Sequence, residues 1–317
     1  MKSAVNEARD RIAPHIRLTE CRFSKTLSDD AGAEVYLKLE NHQLSGSFKL
    51  RGVMNKILSL TSAERNQRLV AASTGNHGAA FAHAVGELGL DGLLFLPTNA
   101  AATKLEAIEA SGIPFELVGD DCVVTETHAH AYAETNNDVW VSPYNDPAIV
   151  AGQGTIGPEL QMQVDGIEAV LIPVGGGGLA GGIAAYLKAV DPSIEIIGCE
   201  PTASAVMAES VKAGAIVELP NLPTLSDATA GGIEEGSITF DLCRRFVDRY
   251  ELVSEDEIAA AIRFIHDHED MVIEGGAALP VAVMLRRPKE LQDKKVVLVI
   301  TGSKIDDVVL RRILSDE

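Results

Sequence analysis

Short, almost wholly apolar runs alternate with amphipathic stretches of helical length along most of this chain. The runs at 34–39, 68–72, 92–96, 115–118, 139–141, 169–174, 194–199 and 295–300 have the length and β-branched content of strands. Between most of them, stretches such as 78–88, 103–111, 124–135 and 179–190 carry their apolar residues on one helical face. Runs without polar alternation, 296–300 among them, predict strands covered on both sides. Strand and helix in regular alternation predict an α/β protein with parallel sheets between layers of helices. Pro143-Tyr144-Asn145-Asp146-Pro147 follows a strand with two prolines and turn formers, and marks a domain boundary.

Composition sharpens this picture in three ways. At 317 residues the chain exceeds one comfortable core, so two domains are expected. Aromatic residues make up only 4% while glycine occurs 28 times, a balance suited to helices packed close on sheets. Acidic residues outnumber basic ones 46 to 27, a net charge of −19 with histidine neutral. Such a surface repels phosphate backbones and anionic lipid, which argues against nucleic acid or a membrane surface as partner. The uncharged stretch 169–187 is broken by Pro173 and six glycines, so strand, loop and helix are expected there rather than a membrane span. Cys21, Cys122, Cys199 and Cys243 are scattered, with no CxxC, and read as reduced thiols of a cytoplasmic protein. The N-terminal residues carry charges every few positions and lack the apolar core of a signal peptide.

Four segments carry candidate chemistry. The first is Ser45-Gly46-Ser47-Phe48-Lys49-Leu50-Arg51-Gly52, after a strand and at the start of a helical run. The positive end of a helix dipole disfavours the ammonium form of a lysine in the first turn, and a neutral amine is what Schiff-base chemistry requires. Phe48 is placed to cover one face of a flat ring. A lone lysine in such a turn is more often a surface residue, so the weight falls on the company it keeps. The second segment, Ser73-Thr74-Gly75-Asn76-His77-Gly78, directly follows a strand and presents free N–H groups to an anion. The third, Gly175-Gly176-Gly177-Gly178-Leu179, joins a strand to a helix in the manner of a phosphate-binding loop. Its Gly176-x-Gly178-x-x-Gly181 spacing also fits a dinucleotide fingerprint, with Glu200 as the acid beyond it, so an NAD-dependent dehydrogenase is a rival reading. The fourth is Thr301-Gly302-Ser303-Lys304, after the last strand. His266 and His268, like His128 and His130, stand at i and i+2 and so face different sides of a helix, which argues against a metal site.

In this order the segments resemble the motifs of the fold-type II pyridoxal-phosphate (PLP) enzymes, the serine/threonine dehydratase and serine racemase group, from about Ile12 to Asp307. The resemblance implies a tryptophan-synthase-β-like fold of two open parallel-sheet α/β domains with the cofactor in the cleft between them. Residues 1–67 and 146–317 would form the large PLP-binding domain and 68–145 the small inserted one. It implies a Schiff base between PLP and Lys49, a ring flanked by Phe48, Asn76 on the ring hydroxyl, and the phosphate on Gly175, Gly176, Gly177, Gly178 and Leu179. Thr301 would face the pyridine nitrogen, with Glu274 of Glu274-Gly275-Gly276-Ala277 near the same edge; Ala230-Gly231-Gly232-Ile233 matches a further loop near the cofactor. Ser73, Thr74, Gly75, Asn76 and His77 would hold the substrate carboxylate. The implied reaction is dehydration and deamination of a β-hydroxy amino acid such as L-threonine, L-serine or 3-hydroxyaspartate to a 2-oxo acid and ammonia. Thr74 stands where racemases of the group have Ser and many threonine dehydratases Ala, so amino-acid racemisation with Thr74 as a second acid/base is an alternative. Metal-dependent relatives bind a cation with a Glu, a carbonyl four residues on and an Asp six residues on. Here Glu200, Ser204 and Val206 occupy those places, and no metal is expected. The expected partners are an amino-acid substrate and a second copy of the chain. With the chain ending a short helix beyond Thr301, no isoleucine-responsive regulatory domain is expected.

Overall fold

The computed structural model describes residues 1–315 apart from Ala101, Asp121 and Asn221. Ten strands form two sheets: β1 (Cys21–Phe23), β2 (Glu34–Leu39), β3 (Leu69–Ala72), β4 (Gly92–Leu96), β5 (Phe115–Leu117), β6 (Val139–Trp140), β7 (Ala169–Pro173), β8 (Glu195–Pro201), β9 (Arg249–Val253) and β10 (Lys295–Ile300). One sheet has the order β1-β2-β10-β7-β8-β9, the other β5-β4-β3-β6. Every pairing is parallel except that of β1 on β2. The eight predicted strands are all present, within two residues at each end. β1 and β9 are additions at the two edges of the six-stranded sheet.

The period of two along the central strands divides the apolar residues between two cores. Leu37, Leu171 and Leu298 face the helices Glu255–Glu269 and Gly275–Leu285, while Val170, Ile172 and Val297 face Ile156–Gln163 and Gly178–Val190. The four-stranded sheet repeats the plan. Leu69, Ala71 and Leu94 pack on helices Lys49–Ser59 and Asn76–Leu88, and Val70, Leu93 and Phe95 pack on Cys122–Asn136. Both sheets are covered on both faces, which is why their strands lack polar alternation.

Two features fix the helices that carry the site. Gly78 lets the Asn76–Leu88 helix lie against the preceding loop, since a Cβ there would fall 2.1 Å from the Ser73 carbonyl oxygen. The Lys49–Ser59 helix is anchored by Arg51, which is fully buried and forks onto two carboxylates. Its Nε and Nη2 donate to Glu40 at 2.7 and 2.8 Å, and its Nη1 and Nη2 to Glu159 at 2.6 and 2.8 Å. Lys38, also buried, donates to Glu159, Gln163 and the Thr19 carbonyl. Both cations and both carboxylates thus have their charges paired and their hydrogen bonds made, the condition for ions to remain inside a core. Among the described residues no helix is long and apolar enough to cross a membrane. Cys199 and Cys243 are buried free thiols and Cys21 is half-buried; the side chain of Cys122 lies outside the described residues.

Candidate active site

The carboxyl ends of β7 and β10 and the start of the Lys49–Ser59 helix converge on one cavity, the usual place for a ligand in an open α/β sheet. Phe48, Lys49, Asn76, Gly175, Gly176, Gly177, Gly178, Leu179, Glu274 and Thr301 all line it. Lys49 is the first residue of its helix, with its Nζ 5.4 Å from the Phe48 ring centre and donating to the Pro143 carbonyl at 2.7 Å. Withdrawal of its amine from water brings its pKa down to about 8, partly offset by the charges of Glu126 and Glu274. Burial favours a neutral amine here.

At the other end, the glycine run forms a cradle that side chains would fill. A Cβ on Gly176 would fall 2.5 Å from the Tyr144 ring, and Gly177 has φ +81°, a conformation that favours glycine. The carbonyls of Gly176 and Gly177 are held away by Thr239 Oγ1, at 2.6 Å, and by the Cys243 thiol. In a trans peptide this turns the N–H groups of Gly177 and Gly178 the other way. The amides of Gly178, Leu179 and Ala180 precede the first bond of their helix, Gly181 N to Gly177 O, and are free for an anion.

The third wall joins residues far apart in sequence. Glu274 accepts from Asn76 Nδ2 at 2.7 Å and from Thr301 Oγ1 at 2.9 Å. All three residues are buried, and burial pushes the Glu274 carboxyl up to about 7. Asn76 Oδ1 is buried without a hydrogen-bond partner among the described residues. An orphaned acceptor beside the lysine, a cradle of free amides and a hydroxyl backed by a carboxyl fit a flat aldehyde cofactor with a phosphate tail.

The remaining predicted residues sit beside this cavity rather than in its lining. Ser73, Thr74 and Gly75 form a half-buried turn in which Ser73 Oγ accepts from Gly75 N at 3.1 Å. His77 is buried, and its Nε2 lies 2.9 Å from the Val141 carbonyl oxygen. Desolvation holds its imidazole down at about 3, so the ring is neutral, and its Nδ1 is buried without a hydrogen-bond partner among the described residues. Glu200 sits behind the glycine loop, nearly fully buried, with its oxygens on the amides of Met207 and Ala208. It is therefore taken by the helix Val206–Ala213 and not free to meet a ribose, which removes the acid that a dinucleotide reading needs. Tyr144, Pro143, Gln153, Pro173, Ala228 and Thr229 complete the cavity, and their place in it was not foreseen. Pro143 and Tyr144 belong to the segment read as a boundary, whose prolines and turn formers signal a bend but not that the bend meets the lysine.

Lysine, amide cradle and buried polar trio define a protein that holds a phosphorylated carbonyl cofactor between two α/β layers. The chain matches the model of the pyridoxal-phosphate dependent enzyme family over residues 12–302 and belongs to that family. It is 36% identical over 311 residues to an L-threonine ammonia-lyase of Thermotoga maritima, a match covering 98% of this chain and 77% of that one. It is 35% identical over 302 residues to the catabolic L-threonine dehydratase of Escherichia coli, covering 95% and 92%. Its fold is similar to that of maize serine racemase, with a TM-score of 0.92 and 28% identity over 99% of this chain and 97% of that one.

Proposed function

We propose that this protein is an ammonia-lyase that converts a β-hydroxy amino acid such as L-threonine, L-serine or 3-hydroxyaspartate into a 2-oxo acid, water and ammonia. The observation that carries this reading is Lys49, an amine with pKa about 8 at the junction of the glycine cradle and the Asn76–Glu274–Thr301 wall. The likeness to a threonine ammonia-lyase and a threonine dehydratase over nearly the whole chain supports it.

In this reading Gly175, Gly176, Gly177, Gly178 and Leu179 would hold the cofactor phosphate, Phe48 would cover the ring, and Asn76 and Thr301 would serve its hydroxyl and its nitrogen. Bound there, pyridoxal phosphate supplies an aldehyde for covalent attachment to amines and an electron-withdrawing ring that acidifies the Cα proton. The Ser73-Thr74-Gly75 turn and the amides of Asn76 and His77 hold the substrate carboxylate at a helix N-terminus. Lys49, uncharged, would take the Cα proton of the substrate. The wall at Thr301 is a hydroxyl rather than a permanent anion, and would hold a proton on the ring nitrogen only weakly. Residues 1–67 with 146–317 and residues 68–145 act as the two domains of the cleft. The cytoplasm suits the buried free thiols Cys199 and Cys243. A homodimer is supported by Leu18 and Met162, 55% and 66% exposed on segments joined by the Gln163–Thr19 hydrogen bond.

The test is incubation of the cofactor-loaded protein with L-threonine, L-serine and 3-hydroxyaspartate while 2-oxo acid and ammonia are followed. Formation of neither product from any of the three would overturn the reading. Racemisation is the second reading, favoured by the Thr74 hydroxyl and the likeness to serine racemase. D-serine accumulating from L-serine faster than pyruvate would establish it instead.

A further inference from the structure

One turn touches both ends of the cavity. It is Ser142-Pro143-Tyr144-Asn145, where the chain leaves β6 for the helix Pro147–Gly154. At one end the Pro143 carbonyl takes the hydrogen bond of Lys49 Nζ at 2.7 Å. At the other, the next residue roofs the glycine cradle. A Cβ on Gly176 would meet Cγ, Cδ1 and Cδ2 of Tyr144 at 2.5, 2.6 and 2.7 Å, so this glycine lies under the face of the aromatic ring. A Cβ on Gly178 would fall 3.2 Å from the Tyr144 Cβ and carbonyl oxygen. The ring is pinned at its far end, where Tyr144 Oη accepts from Glu234 N at 2.9 Å. Asn145 makes two more ties to the same stretch, its Nδ2 donating to Glu234 Oε2 at 2.5 Å and its Oδ1 accepting from Ile238 N at 3.1 Å. That stretch leads into the back of the cradle. Thr239 Oγ1 gives its proton to the Gly176 carbonyl at 2.6 Å, so the Ser237 hydroxyl, 2.7 Å away, donates to Thr239. The ties therefore close a circuit, from Gly176 through the face and hydroxyl of Tyr144 to residues 234–239 and back to Gly176.

We propose that Tyr144 is a positioning residue for the cofactor phosphate, holding the Gly176–Gly177 peptide in the orientation that turns the cradle amides toward the anion. The inference rests on the glycine run being the seat of the phosphate and is independent of which reaction follows. Four consecutive residues without side chains cannot fix their own peptides, and each glycine has more backbone freedom to lose than any other residue. A cradle that is ordered only when the anion arrives gives up affinity to that ordering. Here the peptide is gripped beforehand from two sides, by the Tyr144 ring on the Cα of Gly176 and by Thr239 on its carbonyl. The Tyr144 hydroxyl keeps the two grips in register, because it ties the ring to the stretch that carries Thr239. Burial, with the nearby Glu234, pushes the pKa of that hydroxyl up, so it brings no charge of its own against the phosphate. Its effect passes to the phosphate end of the cofactor and not to the pyridine.

Pyridoxal provides the test, because it is the same cofactor without the phosphate. The apo-proteins of wild type, Tyr144→Phe and Asn145→Ala are titrated with pyridoxal phosphate and with pyridoxal, and binding is read from the cofactor absorbance. Tyr144→Phe keeps the ring and removes the acceptor of Glu234 N, while Asn145→Ala leaves Tyr144 intact and cuts the two other ties. Each should raise the Kd for pyridoxal phosphate by about fivefold to tenfold, the net worth of one hydrogen bond, and leave the Kd for pyridoxal within about twofold of wild type. The internal hemiacetal of pyridoxal weakens its binding to all three proteins alike and cancels in the comparison. Glu234 is exposed, so water can replace the lost partner and the Tm of each apo-protein should stay near wild type. An unchanged Kd for pyridoxal phosphate in Tyr144→Phe, or an equal rise for both ligands, would overturn the proposal. A measurement on wild type alone guards against variants that fold poorly. Amide hydrogen exchange over residues 231–240 should slow when pyridoxal phosphate binds and not when pyridoxal does, and equal slowing by both, or by neither, would also overturn it. Wild type binding pyridoxal as tightly as its phosphate would remove the phosphate from the glycine cradle altogether, whereas a wild-type preference that Tyr144→Phe keeps in full removes only the role of Tyr144.

Discussion

Single side chains in this cleft are set to unusual protonation states by removal from water. Lys49 is the one with no substitute. Lys49→Ala should abolish product formation while circular dichroism and the apo-protein Tm stay near wild type; turnover within roughly tenfold of wild type would refute its covalent role. The carboxyls behave oppositely to ordinary surface acids. Burial pushes Glu126 and Glu274 up to about 7 and Glu200 up to about 8, from 4.5 in the open chain. Between pH 4.5 and 7 the folded protein therefore holds protons that the unfolded chain has released, and stability declines as pH rises through that window. His77, held down near 3, works in the other direction up to its ordinary value of 6.5, but as one group against three. Thermal unfolding of the apo-protein at constant ionic strength should give a higher Tm at pH 5.5 than at pH 7.5. A flat or rising profile would show that these carboxyls are hydrated.

At the scale of helices and strands, the site depends on how firmly each element is seated. Arg51 seats the helix of Lys49 by filling both Glu40 and Glu159, so Arg51→Met should leave Glu40 buried without a cation and Glu159 with Lys38 alone, and destabilise the protein by roughly 3–5 kcal/mol in denaturant titration. The Val206–Ala213 helix uses Glu200 in its first turn, and Val206 supplies no oxygen. Exhaustive chelation should therefore leave both activity and Tm unchanged, and loss of activity restored by Mg²⁺ or Mn²⁺ would show that Glu200 had been drawn off its amides. The elements themselves were legible where periodicity had room to act. The central strands, apolar on both faces, could be read within two residues at each end. β1 is three residues long, too short for any period, and β9 is a half-buried edge strand whose Arg249 and Glu251 make it look like loop. The glycine run and the lysine were legible because each does its work through its own backbone neighbours. Tyr144 and Thr229 were not, because only the folded chain brings them to the cleft.

For the molecule as a whole, the excess of 46 acidic over 27 basic residues lies on a fold whose buried cations, Lys38 and Arg51, are paired with Glu40 and Glu159. Mutual repulsion across such a surface is screened by salt, with a Debye length of about 10 Å at 0.1 M falling to about 3 Å at 1 M. The apo-protein's Tm should rise between these two concentrations of sodium chloride, and a fall would locate the governing charges in paired rather than repelling sets. The arrangement of two sheets was legible in outline from the alternation and from the motif order. The antiparallel edge at β1 was not.

Asn76 starts a helix of the four-stranded sheet, while Glu274 and Thr301 belong to the six-stranded one, so their shared hydrogen bonds straddle the two halves of the cleft. Any breathing that parts the halves must hydrate Glu274, whose affinity for its proton then drops from the buried value toward that of a free carboxylic acid. Gape and proton count are thus thermodynamically linked: opening releases, on average, the fraction of a proton that the buried carboxyl holds at that pH, and the poise between ajar and shut tilts with acidity around neutrality.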